Sequence, residues 1–343
     1  MTPRDRAARL REDARADPTA VNPDAVLELL RHPSRPVQRA AADALLPLVT
    51  EHPSVGTDAV ARVEHLLRTV DRAEPADRAF GETLLLCLAR IAGADPEKTL
   101  DAADAVLSLL DPEGPLAAPA SACLTQLVAV RPEAFVHDID QFAALLDADE
   151  PAARRHAAHV LVEIGGEEPE AVRPAVPAIR DCLDDDDTET AQKAAVVVGQ
   201  VARVDAAGVR SALPDLIDAL EAPATGIRAN AVGAVADIAA DLPNAVSDHQ
   251  DALAARLDDD AASVRRNAAA TLGRVADAGI DLAESAHAGL VELLDDPDAT
   301  VRATACQALG QVSSPVAAEL LRTTADEDDE LAVRKAAERA LES

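Results

Sequence analysis

Apolar residues recur along the chain at helical spacing, and the same pattern returns about every 37 residues. The first apolar position of each patterned helix, here called the anchor, falls at Val37, Phe80, Leu116, Ala153, Thr190, Ile227, Val264, Val301 and Val333. Successive anchors are separated by 43, 36, 37, 37, 37, 37, 37 and 32 residues. Small or apolar residues follow four and eight positions later, and these positions share one face of a helix. A repeat of this kind predicts stacked units.

A second apolar segment precedes the anchor in each unit. In five units a leucine stands seven residues before the anchor, at Leu146, Leu183, Leu220, Leu257 and Leu294. Each unit therefore reads as a hairpin of a first helix and a second helix, joined by an acidic turn. One hairpin cannot bury its apolar face alone, so neighbouring hairpins must stack. We predict an all-α α-solenoid of about nine hairpins over residues 22–343, forming a single domain, with a helical N-terminal cap over residues 1–21.

Composition explains how such helices approach one another. The chain of 343 residues has 78 alanines but only three phenylalanines, with no tryptophan or tyrosine. Small alanine side chains let stacked helices lie close together.

Net charge adds a second constraint, because the chain has 62 acidic residues and 32 basic ones, which give a formal net charge of −30. Acid spread along the whole chain favours adaptation to a salt-rich cytoplasm, where salt screens repulsion. The alternative is an acidic mimic that binds basic partners. Nucleic acid is disfavoured as a partner because its binding needs phosphate neutralisation by Lys and Arg.

A few further features of the sequence indicate where in the cell the protein is located. The four cysteines form no CxxC pair and lie in apolar helical contexts, as expected of core residues in a reducing compartment. The N-terminal residues contain no apolar stretch that would serve as a secretory signal. The longest uncharged run, from Pro115 to Val130, is too short and too polar to cross a membrane. We expect a cytoplasmic protein without membrane insertion.

The repeated motif L-D-D-x-x-x-x-V-R-x-x-A-x-x-A-L-G-x-V resembles HEAT repeats, in particular the short HEAT-like type named after phycobilisome lyases. The resemblance covers the chain from about Asn22 onward and is weaker in units two and three, where Gly81 and Ala117 replace the arginine after the anchor. It implies a helical-repeat fold and a scaffold role, and it does not imply lyase chemistry.

The resemblance also implies a structural ladder of arginine and aspartate along the stack. The arginines directly follow their anchors, and the aspartates stand five residues before theirs. An arginine fork can hold a carboxylate through two hydrogen bonds. The predicted ladder residues are Arg154, Asp185, Arg228, Asp259, Arg265, Asp296, Arg302, Asp328 and Arg334.

Positions two, three, six and ten after the anchor face away from the apolar columns. In a solenoid this face of the second helices lines the concave groove, which is the usual partner surface. Here it is more basic and richer in amides than the rest of the chain, although it also reads as an ordinary solvated face. The candidate groove residues are Arg155, His156, His159, Lys193, Asn230, Asn267, Arg274, Thr304 and Gln311. We expect a protein or peptide partner there.

Catalysis is the rival interpretation. His156, His159 and Glu163 lie on one side of a helix and could contribute to a metal site, but no second cluster supplies further ligands. HEAT-like di-iron hydroxylases hold their metal with His-Glu dipeptides, and this sequence contains none. It shows neither a phosphate-binding glycine loop nor a nucleophile elbow. We expect no cofactor, no metal and no enzymatic activity. The alternative is an enzyme or enzyme-associated subunit, lyase-like or metal-dependent.

Overall fold

A computed structural model describes residues 1–312 and 314–342, and within these ranges it contains helices, turns and no strand. The prediction of an all-α fold with helices packed in a repeating arrangement is confirmed. Two compact units divide the chain, residues 1–168 and residues 169–343.

The first unit contains ten α-helices. They are α1 (Pro3–Ala16), α2 (Pro23–Leu30), α3 (Arg35–Glu51), α4 (Val60–Leu67), α5 (Pro75–Ala92), α6 (Pro96–Thr99), α7 (Ala103–Leu107), α8 (Ala117–Val128), α9 (Ile139–Leu145) and α10 (Pro151–Glu167). The anchors lie on α3, α5 and α10 and at the residue before α8, so these four are second helices. They pack in sequence, α3 on α5, α5 on α8 and α8 on α10, and α1 packs on the other side of α3.

The second unit contains the remaining twelve. They are α11 (Pro169–Val172), α12 (Val176–Asp181), α13 (Thr188–Val209), α14 (Leu213–Ala219), α15 (Thr225–Asp241), α16 (Pro243–Val246), α17 (Gln250–Ala255), α18 (Ala262–Asp277), α19 (Glu284–Glu292), α20 (Ala299–Gly310), α21 (Pro315–Glu327) and α22 (Leu331–Glu342). The second helices α13, α15, α18, α20 and α22 form one layer in which each packs on the next.

Most first helices are shorter and more broken than the sequence pattern predicts. Segments of 3₁₀-helix interrupt or extend them at Pro18–Ala20, Pro53–Ala59, Leu100–Ala102, Pro132–Phe135, Arg173–Ala175, Cys182–Asp184, Arg210–Ala212, Ser247–His249, Arg256–Asp258 and Leu293–Asp295. Prolines are one cause, since Pro174 and Pro177 lie between or within α11 and α12. A proline lacks the N–H of a helical hydrogen bond and crowds the carbonyl four residues earlier.

In six repeats the backbone leaves helical geometry at the same position, and in α13 this position is a kink inside the helix. Six residues that stand 15 positions after an anchor have φ between −148° and −126° and ψ between 53° and 77°: His52, Asp95, Arg131, Glu168, Asp205 and Leu242. In five of them a proline follows, which disfavours helical backbone at the residue before it and starts the next helical segment. At Asp205 no proline follows, and the side chain accepts a hydrogen bond from the Gly208 N–H at 2.9 Å.

The core contains the anchors and the residues four positions after them, as the sequence pattern predicts. All nine anchors are buried, and so are all nine residues four positions after them. Residues that the pattern predicts to be buried become partly exposed where a helix ends. Leu341 is 37% exposed near the end of α22, and Val312 is half-buried because α20 stops at Gly310. Leu294 is also half-buried, and the neighbouring Leu293 takes the core position instead.

Candidate partner-binding surface

Three arginines of the second unit each form a bidentate ion pair with an aspartate of the following repeat. Arg228 donates to Asp259 through Nε at 2.7 Å and through Nη2 at 2.9 Å. Arg265 donates to Asp296 with the same two distances. Arg302 donates to Asp328 at 2.8 and 3.0 Å. These bidentate pairs join neighbouring hairpins.

The same arginines also close the acidic turn of their own hairpin. Nη1 of Arg228 donates to the carbonyl oxygens of Ala222 and Pro223 at 2.9 and 3.0 Å. Arg334 makes the equivalent bonds to the carbonyls of Asp328 and Asp329. A single guanidinium therefore binds one or two carbonyls of its own turn and, in the bidentate pairs, one carboxylate of the next hairpin.

The two remaining ladder residues lie on either side of the boundary between the units. In the first unit, Nη1 of Arg154 donates to the carbonyls of Ala148 and Asp149 at 2.9 and 3.2 Å. In the second, Asp185 accepts the Asp187 N–H at 2.7 Å. Both make the turn contacts that their counterparts make in other repeats.

Two of the ladder carboxylates are nearly inaccessible to solvent. The side chains of Asp259 and Asp296 are 3% and 4% exposed. Hydrogen bonds from Arg228 hold the pKa of the Asp259 carboxyl below its usual range, in spite of the opposing effect of burial. Arg302 lowers the pKa of Asp328 in the same way. The charged pair is thus the stable form at neutral pH.

Sequence reasoning missed a related cluster in the first unit. The side chain of Asp77 is 8% exposed and contacts Arg39 at 2.7 Å and Arg35 at 3.2 Å. Burial alone would raise the pKa of Asp77, but hydrogen bonds from Arg39 and from the Asp71 N–H lower it. The cluster escaped notice because Asp77 stands three residues before its anchor instead of five. Two arginines on one helix, Arg35 two positions before Val37 and Arg39 two positions after it, were the available signal.

The predicted groove residues divide between the units. On α10 of the first unit, His156 is half-buried, and its Nδ1 lies 3.1 Å from the Ser121 hydroxyl of α8. Burial lowers the pKa of His156, so its ring is neutral near pH 7. His159 lies 4.0 Å from Glu163 on the same helix. Arg155, also on α10, is half-buried.

In the second unit several groove residues reach a neighbouring helix. The amide of Asn230 on α15 donates to the Gln192 carbonyl of α13 at 3.1 Å. Arg274 on α18 donates to the Ala236 carbonyl of α15. Lys193 pairs with Glu189 at 3.3 Å. Some of the candidate groove residues therefore form contacts between neighbouring second helices, and the others form a solvated face.

The last groove residues surround a shallow depression of about 330 Å³ between α18 and α20. Arg274 and Asp277 line one side, and Thr304, Gln307 and Gln311 line the other. The floor consists of small residues, Ala270, Gly273 and Ala308. Asn267 lies next to the depression on α18, half-buried, with Arg266 Nη2 3.5 Å from its amide oxygen.

The candidate catalytic groups are not arranged for chemistry. The Ser121 hydroxyl lies within hydrogen-bond distance of His156 Nδ1, but Ser121 is completely buried and its hydroxyl donates to the Ala118 carbonyl. Across residues 1–312 and 314–342, no three His, Cys, Asp or Glu side chains are grouped so as to hold a metal ion. The four cysteines are buried thiols, and burial raises the pKa of Cys123 to about 12. No helix in the described ranges is both long enough and apolar enough to cross a bilayer.

Comparison with known proteins assigns the repeats. Residues 250–342 match the family model of HEAT repeats. No curated protein sequence matches the chain. Among solved structures, one crystal structure of an engineered protein is similar over 99% of this chain and 93% of its own, with 21% identity and a TM-score of 0.76.

Two further crystal structures of engineered proteins each cover 60% of this chain. One covers 95% of its own length, with 22% identity and a TM-score of 0.51. The other covers 97% of its own length, with 25% identity and a TM-score of 0.52. These likenesses concern the fold. Together with the repeated anchors and the buried alanine columns, they show a HEAT-like helical-repeat fold, and the HEAT family model itself matches residues 250–342.

Proposed function

We propose that the chain is a non-catalytic scaffold or adaptor that binds a protein or peptide partner across the outward face of its second helices. This second-helix face comprises positions two, three, six and ten after each anchor. The observation that carries the proposal is the recurrence of polar side chains there in register on the neighbouring helices α13, α15, α18 and α20. An extended partner could contact equivalent positions of successive repeats.

Two features support a binding role over catalysis. The buried ion pairs of the ladder in the second unit hold neighbouring hairpins together. The polar residues of the second-helix face are separate from these pairs. The best nucleophile–base pair, Ser121 with His156, has no access to a substrate. Reduced, buried cysteines support a cytoplasmic setting.

The test is a combined substitution of Arg155, Asn230, Asn267 and Arg274 to alanine, followed by affinity capture from native high-salt lysate and a titration with each protein recovered. We expect binding to weaken strongly and the circular dichroism spectrum to stay nearly unchanged, while the melting temperature falls slightly because Asn230 and Arg274 each lose a hydrogen bond to a neighbouring helix. A matched set on first helices, Asp215, Asp218 and Glu292 to alanine, should leave binding intact.

Two outcomes would contradict the proposal. Loss of binding in the first-helix set alone would place the partner on the other face. Reproducible substrate turnover without any captured partner would favour the enzyme interpretation.

A further inference from the structure

Four cations are exposed together on the second-helix face of the second unit. Arg266 and Arg274 lie on α18, and Lys335 and Arg339 lie on α22. Between them runs α20, which packs on both helices. We call these four residues the basic strip. Its position is unexpected in a chain whose acidic residues outnumber its basic ones by 62 to 32.

Within the described ranges, the strip differs from most other basic residues of its unit in making no ion pair within 4 Å of a carboxylate oxygen. Side chains elsewhere in the unit reach a carboxylate within 4 Å, as do Arg173, Arg180, Lys193, Arg203, Arg228, Arg256, Arg265 and Arg302. In the described ranges, Arg266, Arg274 and Arg339 donate only to neutral oxygens, and Lys335 makes no ion pair. The charge of Arg274 also acts on the Asp237 carboxyl, and the other three charges are available to a ligand.

Neutral hydrogen-bonding groups lie between the two pairs of cations. Thr304 and Gln307 on α20, with Gln311 directly after this helix, line the depression of about 330 Å³ whose other wall includes Arg274. A glutamine amide both donates and accepts, so it can pair with the N–H and C=O of an extended peptide. The small residues on the floor let a backbone approach closely.

We propose that the basic strip binds an acidic peptide segment of a partner protein, with the cations taking its carboxylates and the α20 amides taking its backbone. This inference rests on the proposed function and names the class of partner. The cations and carboxylates are complementary in charge, which guides encounter and selects against basic partners.

A nucleic acid fits the strip less well. The second unit contains no aromatic residue on which a base could stack, because all three phenylalanines lie before residue 169. Carboxylates also stand close to the strip, with Asp277 in the wall of the depression and Glu338 and Glu342 exposed on α22. A short peptide can place its acids between these groups, whereas a continuous polyphosphate cannot avoid them.

The test uses the full chain at the lowest salt concentration at which its helicity is native. Fluorescence anisotropy measures binding of a labelled 12-residue peptide of alternating glutamate and alanine, its glutamine counterpart, and a 12-nucleotide oligothymidylate. The strip variant is Arg266→Gln, Arg274→Gln, Lys335→Gln and Arg339→Gln. The control variant is Arg173→Gln, Arg180→Gln, Arg210→Gln and Arg322→Gln, which has the same net charge.

We expect the glutamate peptide to bind the wild type and the control within about twofold of each other, and the strip variant at least about tenfold more weakly, since several exposed ion pairs are lost together. The glutamine peptide should not bind. Equal weakening in both variants would mean that net charge alone governs binding and would overturn the inference. Tighter binding of the oligothymidylate, lost in the strip variant, would also overturn it.

The two proposals can fail separately. If the glutamate peptide does not bind while the alanine set on the second-helix face still abolishes capture of a partner, the acidic-peptide inference fails and the scaffold function stands. If neither experiment detects binding through this face, both fail.

Discussion

At the scale of single residues, one ladder arginine both pairs with a carboxylate of the next hairpin and donates to a carbonyl of its own turn. Arg265 holds Asp296 of the next hairpin, and its Nη1 donates to the Asp259 carbonyl of its own turn at 2.7 Å. Asp296 in turn accepts the Asp298 N–H at 2.8 Å. A lysine would supply the charge but could not hold a carboxylate with a planar fork while also reaching a carbonyl. This requirement offers a physical reason for arginine at these positions.

Arg265→Ala should lower the free energy of unfolding by about 1–3 kcal/mol, because it strands the buried Asp296 and leaves turn carbonyls unpaired. Arg266→Ala, one residue further and exposed, should cost less than about 0.5 kcal/mol. Urea unfolding of both variants at constant high salt measures the difference. Equal losses would mean that the assignment of buried and exposed faces on α18 is wrong.

The Arg228–Asp259 pair should also give stability a defined pH dependence. The folded pKa of Asp259 is depressed, so its contribution is complete above the unfolded pKa of about 3.9 and is lost as pH falls through the folded value. Asp259→Asn should therefore cost about 1–3 kcal/mol at pH 7 and progressively less below about pH 4. Urea unfolding across this range, with the exposed Asp258→Asn as control, tests it. A difference that does not change with pH would argue against an ionised pair.

At the scale of elements, alanine sets the distance between second helices. Ala268 on α18 is completely buried, in the layer where α18 packs on α15 and α20. Close approach continues at Gly273, where an added Cβ would lie 3.1 Å from Ala308. Large side chains at these positions would push neighbouring helices apart.

Ala268→Leu should consequently destabilise the second unit by about 1–3 kcal/mol through overpacking. Ala270→Leu, on the same helix but in the floor of the depression, should change stability by less than about 0.5 kcal/mol, as partly exposed substitutions usually do. Thermal melting followed by circular dichroism compares the two variants. A similar loss in both would show that Ala270 is packed as tightly as Ala268.

At the scale of the whole molecule, net charge opposes folding. A formal charge of −30 repels itself, and the Debye length grows from roughly 3 Å at 1 M salt to about 10 Å at 0.1 M. Ladder pairs neutralise only a few carboxylates, and many others are exposed. Salt should therefore contribute to stability.

We predict that helicity and melting temperature fall as salt is lowered from molar concentration to 0.1 M. Sodium chloride and potassium chloride should act alike if screening is the cause. Circular dichroism melts across the series measure this. A flat profile would exclude adaptation to a salt-rich environment and would favour an acidic surface that serves to bind basic partners.

The sequence alone determined the fold class, the repeat length and the core. Anchors and alanine columns are visible in it because a buried helix face needs apolar or small residues every three to four positions. The ladder spacing is visible for the same reason, since each repeat has the same length. These properties depend on local periodicity, which a single chain displays directly.

Only the tertiary structure decided which polar residues are free to bind. By spacing, His156 and Asn230 lie on the face that the sequence predicts to be solvated, yet they bond to Ser121 and the Gln192 carbonyl on neighbouring helices. It also revealed that Asp77 is held by Arg35 and Arg39, and that Arg266 and Lys335 make no ion pair with any residue that the structure describes. Such properties depend on side chains that stand roughly one repeat or more apart, because a hydrogen bond or an ion pair forms only where packing brings its two partners together.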